Sequence, residues 1–164
     1  MTFRAFASLF SAAVLSASGP AAPSTPAAIQ GVWKTVEVQV AGPAPQTFTN
    51  VQPNLTILTG SHYARVEVHA DSPRPLITDV AKATADELRA SWGTFFAEAG
   101  TYELTGANEM TMRPLVAKNP ASMAADVYTV FSYKLDGNTI QVTTVRDQKG
   151  PIPAPVTIKA VRVE

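Results

Sequence analysis

The chain has 164 residues, 46% hydrophobic and 16% charged, with 13 Lys+Arg against 13 Asp+Glu and no cysteine. That length and hydrophobicity fit one folded domain and exclude a mostly disordered chain. Balanced charge without a Lys/Arg cluster excludes a general phosphate-binding surface, and the missing cysteines exclude disulfides, thiolate metal sites, cysteine nucleophiles and a lipid-bearing cysteine.

Residues 1–22 read as a secretory signal. Arg4 supplies the positive start, and Ala5 to Ala17 is an uncharged apolar run, shorter than the roughly 20 residues that span a bilayer. Small residues at Ser18, Gly19, Ala21 and Ala22 offer cleavage points, and loss of Arg4 leaves one acidic residue in excess. Pro20, Pro23 and Pro26 predict a Pro-rich extended linker over 23–29, ahead of a domain over 30–164. The expected location is outside the cytoplasm, periplasmic or secreted.

From Gly31 onward the dominant signal is period-two alternation in short runs bounded by Gly, Pro, Asn or Asp. In the first run Val32, Val36, Val38 and Val40 share one face, and Trp33, Thr35, Glu37 and Gln39 the other. The second run is Leu55 to Thr59. The third, His62 to Ala70, alternates Ala64, Val66 and Val68 with Tyr63, Arg65, Glu67 and His69. Later runs are Thr101 to Thr105, Glu109 to Val116, Asp126 to Leu135, Thr139 to Arg146 and Val156 to Val163. Gly60-Ser61, Gly106-Ala107-Asn108 and Asp136-Gly137-Asn138 supply tight turns. Between the third and fourth runs, Leu88, Trp92, Phe95, Phe96 and Ala99 fall on one face at helical spacing, opposite Glu87, Ser91, Thr94 and Glu98. Thr84 and Glu87 form a capping-box pattern at the start of this predicted amphipathic helix, and Gly100 ends it.

Eight strands joined mostly by hairpins suit either a two-sheet sandwich or an up-and-down antiparallel barrel. The barrel is preferred because closure removes sheet edges, and the single helix can then cover one mouth.

Gly31-Val32-Trp33 matches the G-x-W signature that opens lipocalins and related calycin barrels. With Trp92-Gly93, Phe95-Phe96, Gly100-Thr101-Tyr102, Met112-Arg113-Pro114 and Ala117-Lys118-Asn119-Pro120, the chain from Gly31 to Glu164 resembles the bacterial lipocalin-like domain proteins. The resemblance implies a calycin-type barrel with an interior pocket. It also implies structural roles for Trp33 at the closed end and for Arg162 across its ring. The Thr-Asp-Tyr signature of transport lipocalins has no counterpart, and the predicted helix precedes the fourth strand instead of following the eighth.

The predicted ligand-binding set is Trp92, Phe95 and Phe96 on the helix and Tyr63, Tyr102, Phe131 and Tyr133 on strands, with Arg65 and Arg113 as guanidinium groups for an anionic headgroup. No cofactor motif appears: there is no G-x-S-x-G elbow, P-loop or G-x-G-x-x-G. His62 and His69, seven apart in a strand, fall on opposite faces, so no metal site is predicted. Glu67 and His69 share a face, and Glu37 or Glu103 could approach them across a closed barrel, which makes an acid/base group the alternative. Asn54-Leu55-Thr56 fits the N-glycosylation pattern. The expected function is binding of a small hydrophobic or amphiphilic molecule by an exported monomer without nucleic-acid partners. The alternatives are a small barrel enzyme of isomerase or cyclase type, and a ligand-free interaction module using the barrel exterior.

Overall fold

The computed structural model describes residues 26–164. The signal over 1–22 and the first part of the linker lie outside the described residues.

Eight strands form a closed antiparallel barrel: β1 (Gly31–Val40), β3 (Asn54–Leu58), β4 (His62–Val68), β5 (Phe95–Leu104), β6 (Glu109–Ala117), β7 (Thr129–Asp136), β8 (Thr139–Asp147) and β10 (Val156–Arg162). Their ring order follows the chain, and β10 pairs with both β1 and β8 to close it. Closure leaves none of the eight with a long unpaired edge. Two short strands the sequence reading missed, β2 (Gln46–Phe48) and β9 (Gly150–Pro151), pair with β1 and β8. The expected turn between β7 and β8 forms, with Gly137 at φ +55°.

One half of the barrel is filled with side chains. Trp33, Tyr102, Met110, Tyr133, Ile140 and Ala160 belong to one buried cluster that also takes in Ile29. Ile29 ends a helical turn, α1 (Pro26–Ile29), in the segment expected as an extended linker, and it is completely buried. Its carbonyl accepts from Trp33 Nε1 at 2.9 Å. The Arg162 guanidinium lies 4.2 Å over the Trp33 ring and donates to the carbonyls of Ala28, at 2.7 Å, and Gln30. Gly31 sits beneath it at φ +135°, where a Cβ would collide with the guanidinium. This close approach explains the glycine of the G-x-W triplet.

Two irregularities decide which side chains face inward. A bulge in β1 between Thr35 and Glu37 switches the alternation, so buried Trp33 and Thr35 and cavity-lining Val38 all point into the barrel. Strict alternation assigns them to opposite faces. Beside the bulge, the Asn54 amide extends the ladder: Oδ1 accepts from Thr35 N at 2.6 Å, and Nδ2 donates to Thr35 O and Gln52 O. Asn54 is therefore committed to the backbone, against its reading as a glycosylation acceptor.

The helix α2 (Ala85–Gly93) begins with the expected capping box on Thr84 and Glu87, but it is shorter than predicted and buries none of its residues. Its end is set from outside, by Lys118 Nζ donating to the carbonyls of Trp92 and, at 2.8 Å, Phe95. Phe95, Phe96 and Ala99 are strand residues: β5 starts six residues before the predicted fourth strand and pairs with β4 from Val68↔Phe95 to His62↔Thr101. Gly100 is a close-approach residue, not a helix stop. A Cβ there would run into the Arg113 carbonyl of β6, beside a register shift in that pairing.

Candidate functional site: the open half of the barrel

Above the filled half lies a cavity of about 720 Å³, within the range of small-molecule sites. No residue of α2 lines it, so the helix does not cover the mouth as expected. Asn50, Val51 and Gln52 after β2, Ala70 and Asp71 after β4, and Ile152 after β9 contribute to the lining at the strand ends. Apolar walls come from Val38, Phe48, Val68, Phe96, Val156 and Ile158. Thr35, Arg65, Glu67, Met112, Phe131 and Ile158 also line a void of about 50 Å³ beside the filled core, so they form the cavity floor.

The polar groups concentrate on β4 and β5. Alternation on β4 sends Tyr63, Arg65 and Glu67 inward, and the antiparallel register sets Arg65 opposite Glu98 and Glu67 opposite Phe96. Arg65 Nε and Nη2 both donate to Glu67 Oε1 at 3.1 Å, and Nη2 also reaches Oε2 at 3.2 Å. Nη1 stands 3.6 Å from Glu98 Oε1. Tyr63 Oη donates to that same oxygen at 3.3 Å. On the mouth side, His69 Nε2 lies 2.8 Å from Glu67 Oε2. Phe96 packs between two of these groups, with the His69 ring stacked at 5.2 Å and the Arg65 guanidinium at 5.1 Å.

Burial and pairing act differently on the two carboxyls. Burial resists ionisation of Glu67, but hydrogen bonding with His69 and the Arg65 guanidinium outweigh it and hold the carboxyl below the usual carboxylate range. Burial dominates at Glu98 and pushes its carboxyl up, with Glu67 adding to the rise and Arg65 and Tyr63 only partly offsetting it. Burial, followed by the neighbouring Glu98, also pushes the Tyr63 phenol up.

The predicted site residues divide cleanly. Tyr63, Arg65, Phe96 and Phe131 line the cavity. Trp92 does not: it is half exposed on α2 and packs edge-on to Phe95, whose ring also carries Arg74 at 4.6 Å, outside the cavity. Neither Tyr102 nor Tyr133 reaches it, because both are buried in the filled half, with the Tyr102 hydroxyl donating to Thr59 O. Arg113 points outward, 3.8 Å from Glu103 and over the Tyr128 ring, so it offers nothing to an interior headgroup. Of the carboxylates expected to approach Glu67 and His69, Glu37 is bound to Gln39 and Glu103 to Arg113. The carboxylate that arrives is Glu98, which helical spacing had put on a solvent face. Its signal in the sequence was Phe96, Glu98, Gly100 and Tyr102 at period two.

Among the described residues, no group of three or more His, Asp or Glu is placed to hold a metal, and no helix is long and apolar enough to cross a membrane. No family model matches the chain, and no curated protein does. Among solved structures, a redesigned β-barrel matches over 85% of this chain and 95% of its own at 12% identity, with a TM-score of 0.41. The class rests on the chain's own geometry: a closed eight-stranded antiparallel barrel, filled at one end and hollow at the other.

Proposed function

We propose that the protein is an exported, lipocalin-like barrel that binds one small hydrophobic or amphiphilic molecule in its interior and acts as a monomer. The observation that carries this reading is the cavity of about 720 Å³, with apolar walls and polar groups gathered on one side. Apolar surface provides affinity there, and the few polar groups orient the guest. The G-x-W triplet with Arg162 across the Trp33 ring supports the lipocalin-like reading, and the apolar segment over 5–17 supports export. Native mass spectrometry of protein purified without denaturation tests binding. A bound species of small mass, lost on organic extraction, is the expected result, and a protein that stays at its bare mass after exposure to apolar probes argues against it.

A second reading is favoured by one specific contact. His69 Nε2 sits 2.8 Å from Glu67 Oε2 with both residues on the cavity lining, the geometry of a carboxylate orienting an imidazole base. On that reading the barrel is a small isomerase or cyclase acting on the same class of guest. Conversion of a bound guest by the natural protein but not by His69→Gln is its signature.

A further inference from the structure

We infer that the polar end of the guest is a protonated amine seated against Glu98. The inference rests on the proposed binding function and narrows it.

Among the described residues, the formally charged side chains on the cavity lining, histidine aside, are Arg65, Glu67, Asp71 and Glu98. One cation faces three anions, so the cavity carries an excess of negative charge with His69 neutral and still carries one with His69 protonated. In a partly desolvated site this excess acts more strongly than on an open surface.

An anionic headgroup would have to compete with two carboxylates for the Arg65 guanidinium. Nε and Nη2 are held by Glu67, Nη1 faces Glu98, and the guanidinium plane packs on Phe96. Moving Arg65 onto an anion would take its three hydrogen bonds from Glu67 and leave that buried carboxylate with His69 alone. On this inference Arg65 serves the two carboxylates and not an anionic headgroup.

Glu98 offers an open acceptor. Glu98 Oε1 takes the Tyr63 hydroxyl and faces Arg65, whereas no donor among the described residues reaches Oε2. Glu98 lines the cavity with its side chain only 12% exposed. An ammonium supplies three N–H donors and one positive charge, and so answers both the vacant oxygen and the charge excess. A hydroxyl answers only the first, and a carboxylate answers neither.

The test compares three probes of one chain length: dodecylamine, dodecanol and dodecanoate. Each is titrated calorimetrically at neutral pH, below its aggregation concentration, into the full protein. Dodecylamine should bind about tenfold or more tighter than dodecanol, with dodecanoate weakest, because a charge-assisted hydrogen bond is gained only by the amine. Glu98→Gln should erase the amine's advantage over dodecanol, and Asp71→Asn at the mouth should weaken the amine severalfold without touching the fold. Dodecanoate or dodecanol binding as tightly as the amine overturns the inference but leaves the cavity a binding site. Failure of all three probes to bind overturns the proposed function as well.

Discussion

Arg65 and Glu67, two residues apart on one strand, lie side by side on the cavity floor with both carboxylate oxygens within 3.2 Å of one guanidinium nitrogen. The pair is buried, with the side chains 14% and 8% exposed; Glu67 is also bonded to His69, and Arg65 also faces Glu98. Breaking such a pair on one side leaves an uncompensated charge, whereas replacing both sides costs much less. Glu67→Gln is therefore expected to destabilise the barrel by about 3 kcal/mol, and Arg65→Met combined with Glu67→Met by clearly less than the two single changes together. Urea unfolding of the natural protein, Glu67→Gln, the two single Met variants and the double variant measures both.

Glu98 carries the opposite sign. Its carboxyl is raised above the usual value near 4.5, so the folded state holds its proton more tightly than the unfolded chain. Stability tied to this group is full below that value and is lost as pH rises through the raised folded value. Arg65, Glu67 and Tyr63 face Glu98 from β4, and none of them removes the burial that causes the rise. Glu98→Gln should raise the thermal midpoint at neutral pH, and the gain should vanish near pH 3. Glu67, held low, behaves conversely: its contribution is present at neutral pH and is lost on acidification.

At the filled end, Arg162 ties three things together: the Trp33 ring, the carbonyls of Ala28 and Gln30, and the last strand. Arg162→Ala should cost about 2 to 4 kcal/mol, since a stacked guanidinium and two charge-assisted hydrogen bonds disappear together. Arg162→Lys should recover only part, because an ammonium cannot stack and fork at once. Thermal unfolding followed by tryptophan fluorescence reads the difference.

Phe95 and Phe96 are adjacent in sequence but lie on opposite sides of β5. Phe96 lines the cavity between Arg65 and His69, and Phe95 packs outside with Trp92 and Arg74. Phe96→Ala should weaken binding of the neutral probe N-phenylnaphthylamine by about tenfold, the scale of a truncated aromatic contact, while Phe95→Ala leaves it unchanged. Equal effects of the two substitutions would contradict the assignment of faces.

Most of the barrel was legible in the chain. Period two, turn residues and strand count placed the eight staves, the fourth starting six residues late, and the shared face of Glu67 and His69. What was not legible came from places where local pattern serves two periods. Phe95, Phe96 and Ala99 fit a helical stripe, but the Lys118 ammonium ends the helix at Gly93, and pairing with β4 claims the rest. Trp33, Thr35 and Val38 share the interior only because of a bulge held by Asn54, a tertiary contact across nineteen residues that alternation cannot signal. Tyr102 and Tyr133 look like pocket residues in sequence; their height along the barrel, not their facing, puts them in the filled half.

A binding barrel must take a guest in its hollow half. Titration of N-phenylnaphthylamine into the natural protein and into Val38→Trp, which places an indole in the cavity, tests this most directly. Saturable one-to-one binding to the natural protein, abolished in a Val38→Trp barrel that still unfolds cooperatively, is the predicted result. Absence of saturable binding, or binding that survives the filled cavity, would contradict it.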